Sequence, residues 1–310
     1  MAVRAENLVT LGATEVQVSR VGVGTNSWGA RGERDPGKAA TFRELLDAGI
    51  TFFDTAEIYT AGASERTVGE CMRASGRVPT ILTKFFPFPW RLGKERMASA
   101  LKRSLARLQV QGVDVYLLHF PLPPVSLETW MDGLADMVQA GLTRAVGVSN
   151  CGAGQVRRAH AALKARGVPL ACNEVQFSLL RPAAERDGLL NVCRDLGVTI
   201  IAYRPLAQGM LTGKYSPRTP PTGVRAALYG KQTLRRIQPL VAALRVVGER
   251  HGKTPGQVAL NWVICKGAIP IPGAKDPRQA AENAGALGWR LGSAEVDELD
   301  AASPAEQGPT

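Results

Sequence analysis

Histidine and cysteine are both scarce in this chain of 310 residues, which has three of the first and five of the second. The cysteines are odd in number, lie far apart and include no C-x-x-C pair. This usage argues against a disulfide framework and against a zinc site. The sequence therefore predicts reduced thiols, most of them packed in the interior, and no bound metal.

Long apolar runs are also missing. No segment reaches the roughly 18 apolar residues that a membrane-spanning helix needs, and the start MAVRAENLVT lacks the apolar core of a secretory signal. We expect a soluble intracellular protein without a membrane partner. The cytoplasm is the favoured compartment, and the plastid stroma or a mitochondrion stays open because a removed transit peptide would leave no trace.

Acidic residues are outnumbered by basic ones, and the formal net charge is +11. A basic balance can mark a nucleic-acid partner. Lysine and arginine are nevertheless spread along helical patterns such as RMASALKRSLARL and are not interleaved with aromatic residues. A solvated helix surface is the favoured interpretation over a nucleic-acid patch, and a positive field would also attract a small anionic ligand.

Short β-branched apolar runs recur along the chain, each followed by a turn and an amphipathic helical pattern. In ALKRSLARL, for example, Leu101, Leu105 and Leu108 have helical spacing. Eight such units predict one (β/α)8 barrel domain over residues 1–310, and a doubly wound open sheet is the alternative. The eight predicted strands lie in VSRVGVGT, ITFFDTA, TILTKF, VDVYLLHF, RAVGVSN, ACNEVQF, TIIAYRP and AIPIPG.

Two segments fall outside this alternation. NLVTLGATEVQVS predicts a β-hairpin that closes the bottom of the barrel, with its turn near Gly12 to Thr14. Residues 213–231 hold three prolines and no clear periodicity, which predicts a long mobile loop after the seventh strand. Helices are predicted beyond that loop, from Leu234 to Arg250 and from Pro255 to Cys265.

Four polar residues lie at or just beyond the ends of predicted strands, where a (β/α)8 barrel carries its active site. Asp54 ends the second strand, Lys84 the third and His119 the fourth, and Tyr59 lies in the loop after Asp54. A lysine beside a tyrosine is expected to lower the phenol pKa, and a carboxylate keeps that lysine charged and oriented. Tyr59 would then deliver a proton while His119 polarises a carbonyl oxygen. Each residue alone also has an ordinary structural explanation.

The sequence resembles the aldo-keto reductase family over nearly its whole length. The stretches that carry the resemblance are VGVGTNSWG, FFDTAEIYTAGASERTVGE, TKF, VDVYLLHFP, RAVGVSN, NEVQFSLL, AYRPLAQGMLTGKY and IPIPGAKDPRQAAEN, in the order of the family. The resemblance implies a barrel, a nicotinamide cofactor, usually NADPH, and a small carbonyl substrate. It also implies a catalytic tetrad of Asp54, Tyr59, Lys84 and His119.

The same resemblance implies a set of cofactor contacts. Ser149, Asn150 and Gln176 are expected to bond the nicotinamide carboxamide, and Tyr203 is expected to stack on the ring. The family more often has serine at the position of Arg204, and a G-x-G-x-x-G dinucleotide motif is missing. The remaining cofactor positions are Gly24, Thr25 and Asn26 on the first strand, Asp54, and Arg204, Pro205, Leu206, Gly209, Leu211 and Lys214 around the pyrophosphate.

The adenosine end of the cofactor is expected at IPGAKDPRQAAEN. The helix beginning near Asp276 would present free backbone N–H groups to a phosphate. Lys275 is the first candidate for the 2′-phosphate of NADPH and Arg278 the second, although both could be solvated charges at a helix start. The other residues implied there are Gly273, Gln279, Glu282 and Asn283.

Aromatic residues just beyond the strand ends are candidates for an apolar substrate pocket or for ordinary packing. They are Trp28, Phe86, Trp90 and Phe120. Against a reductase stands a nicotinamide-binding regulatory subunit of the same fold, a class that tends to lack the tetrad histidine. A metal-dependent or Schiff-base barrel enzyme would leave Tyr59 unexplained. A monomer or weak oligomer is expected.

Overall fold

The computed structural model describes residues 5–30 and 36–304. A two-stranded antiparallel hairpin, β1 and β2, precedes eight parallel strands, β3 to β10, that neighbour one another in chain order. The strands are β1 Leu8–Thr10, β2 Gln17–Ser19, β3 Val23–Gly24, β4 Phe52–Asp54, β5 Thr80–Phe85, β6 Val113–Leu118, β7 Thr143–Ser149, β8 Leu170–Gln176, β9 Thr199–Tyr203 and β10 Ala268–Ile271.

The two end strands of the eight-stranded sheet, β3 and β10, meet and make the barrel nearly closed. Gly24 bridges Gly273 in a parallel sense, the Gly22 N–H donates to Pro270 O at 2.9 Å, and the Gly24 N–H donates to Pro272 O at 3.1 Å. The predicted barrel and all eight predicted strands are therefore confirmed, and the open doubly wound sheet is not formed.

Helices surround the strands, and the longer ones bury residues against them, as the helices Glu95–Leu108 and Lys231–His251 do. Leu101, Leu105 and Leu108 are buried, as their spacing predicts. The helices are α1 Pro36–Asp47, α2 Ala63–Ser75, α3 Glu95–Leu108, α4 Leu127–Gln139, α5 Ala153–Ala165, α6 Ala183–Arg186, α7 Leu189–Asp195, α8 Val224–Leu228, α9 Lys231–His251, α10 Pro255–Cys265, α11 Pro277–Ala284 and α12 Ser293–Ala302, with 3₁₀ turns at Ala5–Asn7, Tyr59–Gly62 and Ala207–Thr212.

The predicted hairpin covers the N-terminal ends of the barrel strands. Leu11, Val16 and Val18 pack into the apolar cluster inside the barrel. At the hairpin turn, the Gly12 N–H donates to Thr199 Oγ1 at 2.8 Å. Gly12 has a φ of +54°, and a Cβ there would lie 2.6 Å from Ala171 O. Only glycine fits this close approach.

The segment 213–231 is only partly irregular. Its first half has no helix, as its prolines predict, but its second half forms α8, which the sequence analysis did not foresee. Helix α9 begins at Lys231 rather than at Leu234, and α10 has the predicted bounds. Among the residues that the structure describes, no helix is both long and apolar enough to cross a membrane.

Candidate active site

Asp54 and Lys84 meet inside the barrel because their strands are neighbours. Asp54 is the last residue of β4 and Lys84 lies near the end of β5, so both side chains are at the C-terminal mouth. Lys84 has no exposed surface and Asp54 is 2% exposed. The Lys84 ammonium donates to Asp54 Oδ1, to Thr55 O at 3.1 Å and to Tyr59 OH at 3.3 Å. The predicted contacts of Lys84 with a carboxylate and a phenol are therefore present.

Tyr59 is brought to Lys84 by the tight turn that follows β4. Thr60 and Ala61 have φ values of +47° and +54°, which bend the chain between Tyr59 and the start of α2. Thr60 Oγ1 donates to Trp28 O at 2.9 Å and ties this turn to the loop after β3. The strained backbone thus holds the phenol over the strand ends.

His119 follows β6 and faces Tyr59. Its backbone N–H donates to Phe85 O at 2.9 Å. The His119 and Tyr59 rings lie edge to face, with their centroids 5.8 Å apart. Burial, and secondly the charge of Lys84, lower the pKa of His119 to about 3. His119 is therefore neutral at physiological pH and has one N–H donor. Its Nδ1 is buried without a partner among the described residues, which favours the tautomer with the proton on Nε2.

The expectation that Lys84 lowers the phenol pKa is wrong in its net direction. Burial raises the pKa of Tyr59 above its ordinary value, and the attraction of Lys84, which acts in the expected sense, is smaller. The negative charge of Asp54 raises it further, and so does that of Glu174 when its carboxyl group is ionised. Burial also lowers the pKa of Lys84, but its carboxylate neighbours outweigh this and hold it above its ordinary value. At physiological pH the site therefore contains a protonated phenol and a charged ammonium.

Sequence reasoning missed Glu174, although it lies in the NEVQF stretch. Glu174 is 2% exposed, and its Oε2 lies 3.3 Å from Lys84 Nζ. The signal was available, because alternate residues of a strand face the same side. Glu174 shares the inner face of β8 with Gln176 and with Cys172, which packs in the cluster inside the barrel.

The four residues assigned to the nicotinamide are close together at the ends of β7, β8 and β9. Asn150 has a φ of +58°, a conformation that asparagine tolerates, and its Nδ2 donates to His119 O at 3.1 Å. The Tyr203 hydroxyl donates to Asn150 Oδ1 at 2.9 Å, and Ser149 Oγ donates to Glu174 O at 2.9 Å. Gln176 is half-buried and its side chain has no hydrogen bond to the described residues. This set of amides and hydroxyls fits a carboxamide.

The residues assigned to the pyrophosphate differ in how far they can reach a ligand. Leu211 has no exposed surface, so in this conformation it offers a ligand no contact. Arg204 is exposed in a left-handed conformation with a φ of +51°, and Lys214 is also exposed. Pro205 is buried, and Leu206 and Gly209 are half-buried. Gly24 ends β3 and is half-buried. In the loop that follows, Thr25 is buried, with its hydroxyl 2.8 Å from Asp54 O, and Asn26 is exposed.

At the predicted adenosine end, several residues that were expected to contact the cofactor form hydrogen bonds with other protein groups. The Asp276 carboxylate accepts the Gln279 N–H at 2.8 Å, and the Gln279 side chain accepts the Lys275 N–H at 3.1 Å. The start of α11 therefore presents fewer free N–H groups than expected. Glu282 accepts the Thr254 hydroxyl, Asn283 Nδ2 donates to Gly273 O at 3.3 Å, and Gly273 is exposed. Lys275 and Arg278 are both exposed and can meet an anion.

Aromatic side chains continue outward from His119. Phe120 stacks on His119 with ring centroids 5.1 Å apart, and Phe86 lies 5.7 Å from His119. Phe88, which the sequence analysis did not single out, lies between Phe86 and Trp90, and Trp90 is 70% exposed. These rings form an apolar rim beside the tetrad.

Trp28 does not belong to this rim. It has no exposed surface, its Nε1 donates to Ala274 O at 2.9 Å, and its ring packs edge-on against Phe53 at 6.0 Å. The structure therefore places Trp28 in the core, where it joins the loop after β3 to the loop after β10, and it corrects the expectation that Trp28 lines the pocket.

The five cysteines form no disulfide, and four of them are buried. Burial raises the pKa of Cys151 to about 12, so that thiol stays protonated. No group of three or more histidine, cysteine or acidic side chains within residues 5–30 and 36–304 is arranged to hold a metal ion.

Known proteins are similar to this chain in both sequence and fold. The sequence model of the aldo/keto reductase family matches residues 20–304. The chain is 41% identical over 308 residues to the chloroplastic pyridoxal reductase of Arabidopsis thaliana, which covers 93% of this chain and 84% of that protein. An aldo-keto reductase [NADP(+)] of Schizosaccharomyces pombe is 32% identical, over 84% of this chain and 80% of that one. A Klebsiella pneumoniae aldo-keto reductase solved with NADPH superposes with a TM-score of 0.77 at 29% identity, covering 99% of this chain and 98% of the other.

Proposed function

Because the chain belongs to the aldo-keto reductase family, we propose that it reduces aldehydes or ketones to alcohols with NADPH, and that Tyr59 supplies the proton. The observation that carries this proposal is the contact of one buried ammonium, Lys84, with both Asp54 and the Tyr59 hydroxyl. The family and its NADPH-bound member make the chain an NADP-dependent oxidoreductase.

The bound cofactor supplies the hydride, and the residues of this chain supply the rest. Ser149, Asn150 and Gln176 would bond the nicotinamide carboxamide, because amide and hydroxyl groups match it, and Tyr203 would stack on the ring and orient it. The Tyr59 hydroxyl and the neutral His119 Nε2–H would both point at the carbonyl oxygen of the substrate. Lys84 donates to the Tyr59 oxygen and so stabilises the negative charge that forms there as the proton leaves.

The electrostatics favour the reductive direction. Burial keeps the pKa of Tyr59 raised, so the phenol is protonated and ready to donate at any physiological pH. His119, whose pKa is lowered to about 3, contributes a hydrogen bond without carrying a charge. The presence of this histidine opposite Tyr59 also favours an enzyme over a regulatory subunit that only binds the nicotinamide.

Pyridoxal is the substrate we propose first, since a relative 41% identical to this chain is a pyridoxal reductase. The apolar rim of Phe86, Phe88 and Phe120 offers flat surfaces for an aromatic aldehyde. The test is a panel of pyridoxal, other aldehydes, ketones and quinones with NADPH and NADH, followed by the absorbance of the reduced cofactor. Cofactor binding without oxidation across the whole panel would instead support the regulatory subunit.

A prediction about the cofactor concerns Lys275. If it contacts the 2′-phosphate, Lys275→Ala should weaken NADPH binding by about 1.5–3 kcal/mol, the range for a charge-assisted hydrogen bond, and leave NADH binding nearly unchanged. Titration of both cofactors by fluorescence measures the two affinities. Equal losses for NADPH and NADH would show that Lys275 contributes only its general field, and Arg278→Ala would then be the next variant.

A second prediction concerns the segment 213–231, which we propose closes over the bound pyrophosphate. It carries Lys214, Arg218, Arg225 and Lys231 and no acidic residue. Helix α9 anchors its beginning, since Arg245 Nη2 donates to Gly213 O at 3.0 Å, while residues 218–220 are exposed. Saturating NADPH should therefore suppress tryptic cleavage within the segment.

Adenosine 2′-phosphate is the control for this proteolysis. It can occupy the adenosine end but has no pyrophosphate, so it should leave cleavage within 213–231 nearly unchanged. Equal cleavage with and without NADPH would rule out the closing segment. Equal protection by both ligands would show a general stabilisation of the fold instead.

A further inference from the structure

Three charged side chains from three strands share the interior of the barrel mouth. Asp54 on β4, Lys84 on β5 and Glu174 on β8 are each at most 2% exposed. Lys84 Nζ contacts Asp54 Oδ1 and lies 3.3 Å from Glu174 Oε2. One buried cation therefore stands against two buried carboxyl groups.

The hydrogen-bond donors of Lys84 are fully used without Glu174. An ammonium has three N–H donors, and those of Lys84 point to Asp54 Oδ1, Thr55 O and Tyr59 OH. Within the described part of the chain, Glu174 Oε2 accepts no hydrogen bond. An ionised Glu174 would therefore share the Lys84 ammonium, 3.3 Å away, with Asp54, and two buried carboxylates against one cation are a costly arrangement.

The other groups that face Glu174 add no positive charge. Tyr59, Tyr203 and Cys172 are further titratable side chains near Glu174, and its negative charge contributes to raising the pKa of each. Burial raises the pKa of all three above its ordinary value, so each is neutral at physiological pH. Asp54 and Glu174 both contact Lys84 Nζ, so their carboxyl groups are neighbours, and a proton on Glu174 would be the donor of a hydrogen bond between them.

We propose that Glu174 is a positioning residue of the reductase site. It keeps its proton at neutral pH and donates a hydrogen bond to the Asp54 carboxylate. In this state Asp54 and Lys84 cancel each other's charge, and Tyr59 is free to release its proton to the substrate. When Glu174 loses its proton to solvent in alkali, the added negative charge holds the proton on Tyr59 more tightly. The role toward Tyr59 rests on the function proposed above.

Glu174 loses its proton at a pH that ordinary activity assays can reach. Burial and then the charge of Asp54 raise the pKa of Glu174 to about 8. Tyr59 itself does not titrate there, since its own pKa is raised well beyond that range. An alkaline decline of reduction near pH 8 would therefore report Glu174 rather than the loss of the phenol proton.

The first experiment compares the wild-type protein with Glu174→Gln, which mimics the protonated acid. The wild-type kcat/KM for the best aldehyde at saturating NADPH should fall above about pH 8, by up to about tenfold per pH unit. In the variant, kcat/KM should show no such decline below about pH 9.5. The difference between the two proteins should lie in kcat rather than in KM. The same decline in both proteins would overturn the role toward Tyr59.

The second experiment needs no turnover. The folded-state pKa of Glu174, about 8, lies above the unfolded value of 4.5, so the folded protein favours the protonated form. Wild-type stability is therefore lost as pH rises through this window. Glutamine cannot ionise, so the melting temperature of Glu174→Gln relative to the wild type should increase from about pH 5 to about pH 8.

Glu65→Gln is the matched control for this melting series. Glu65 has no exposed surface, but it accepts from Arg107 Nε and from Thr83 Oγ1, both at 2.6 Å. Its amide variant loses an ion pair and should lie below the wild type without gaining on it as pH rises. A constant difference for Glu174→Gln would overturn the proposal whether or not the chain reduces carbonyls. A growing difference in a protein without reductase activity would uphold the shared proton and overturn its link to Tyr59.

Discussion

Tyr59→Phe is expected to lower carbonyl reduction by about 10²–10⁴-fold, the usual contribution of a positioned general acid. The change removes the proton that we assign to the substrate oxygen and leaves the ring. The Tyr59 hydroxyl receives one long hydrogen bond, from Lys84 at 3.3 Å, so little of the fold depends on it. Steady-state rates with the best aldehyde, together with NADPH binding by fluorescence, measure the loss and show that binding is retained.

Tyr116→Phe is the matched control. Tyr116 has no exposed surface, and its hydroxyl has no partner among the described residues. It packs among the helices outside the barrel, away from the tetrad. Its variant should turn over as fast as the wild type, because it removes a buried phenol oxygen without removing a reacting proton. Near-normal turnover in Tyr59→Phe would overturn the assignment of the proton donor.

The order of the strands and the common position of Asp54, Lys84 and His119 at the barrel mouth could be predicted because they follow from local rules. Parallel strands of a barrel end at the same mouth, so polar residues at the ends of consecutive strands, such as Asp54 and Lys84, must come close. The hairpin also followed from its own sequence, since a glycine-containing turn separates two short apolar runs. These features need only chain direction and the alternation of side chains.

Other features depend on three-dimensional burial, which a pattern cannot give. Strand alternation could have placed Glu174 on the inner face of β8, but its 3.3 Å approach to Lys84 follows only from the closure of the barrel. The pKa of Tyr59 is raised rather than lowered, because the effect of burial outweighs that of the Lys84 charge. Trp28 was assigned to the pocket from its position beyond a strand, and the fold instead buries it against Phe53.

Lys84→Met should destabilise the protein by about 3–5 kcal/mol near pH 8, the cost of leaving buried charges without their partner. Methionine fills much of the same space, so packing is a minor part of the loss. Asp54 and Glu174 would then face each other in the barrel with no cation within contact. Urea unfolding of wild type and variant gives the difference in unfolding free energy.

The pH dependence of this loss identifies its cause. Without Lys84, burial raises the folded-state pKa of both carboxyl groups above their unfolded values of 3.8 and 4.5. Groups with raised pKa values stabilise the fold when protonated and lose that contribution as pH rises. The difference between wild type and Lys84→Met should therefore be smaller near pH 5 than near pH 8.

Two further variants separate charge from packing. Lys94→Met removes a lysine paired with Asp132 and Asp136 on the protein surface, where water screens the remaining charges, and should change stability little. Adding Glu174→Gln to Lys84→Met removes one of the two orphaned carboxyl groups, so the double variant should recover part of the lost stability near pH 8. A loss that is the same at both pH values, and that Glu174→Gln does not reduce, would show that Lys84 stabilises the barrel by its packing alone.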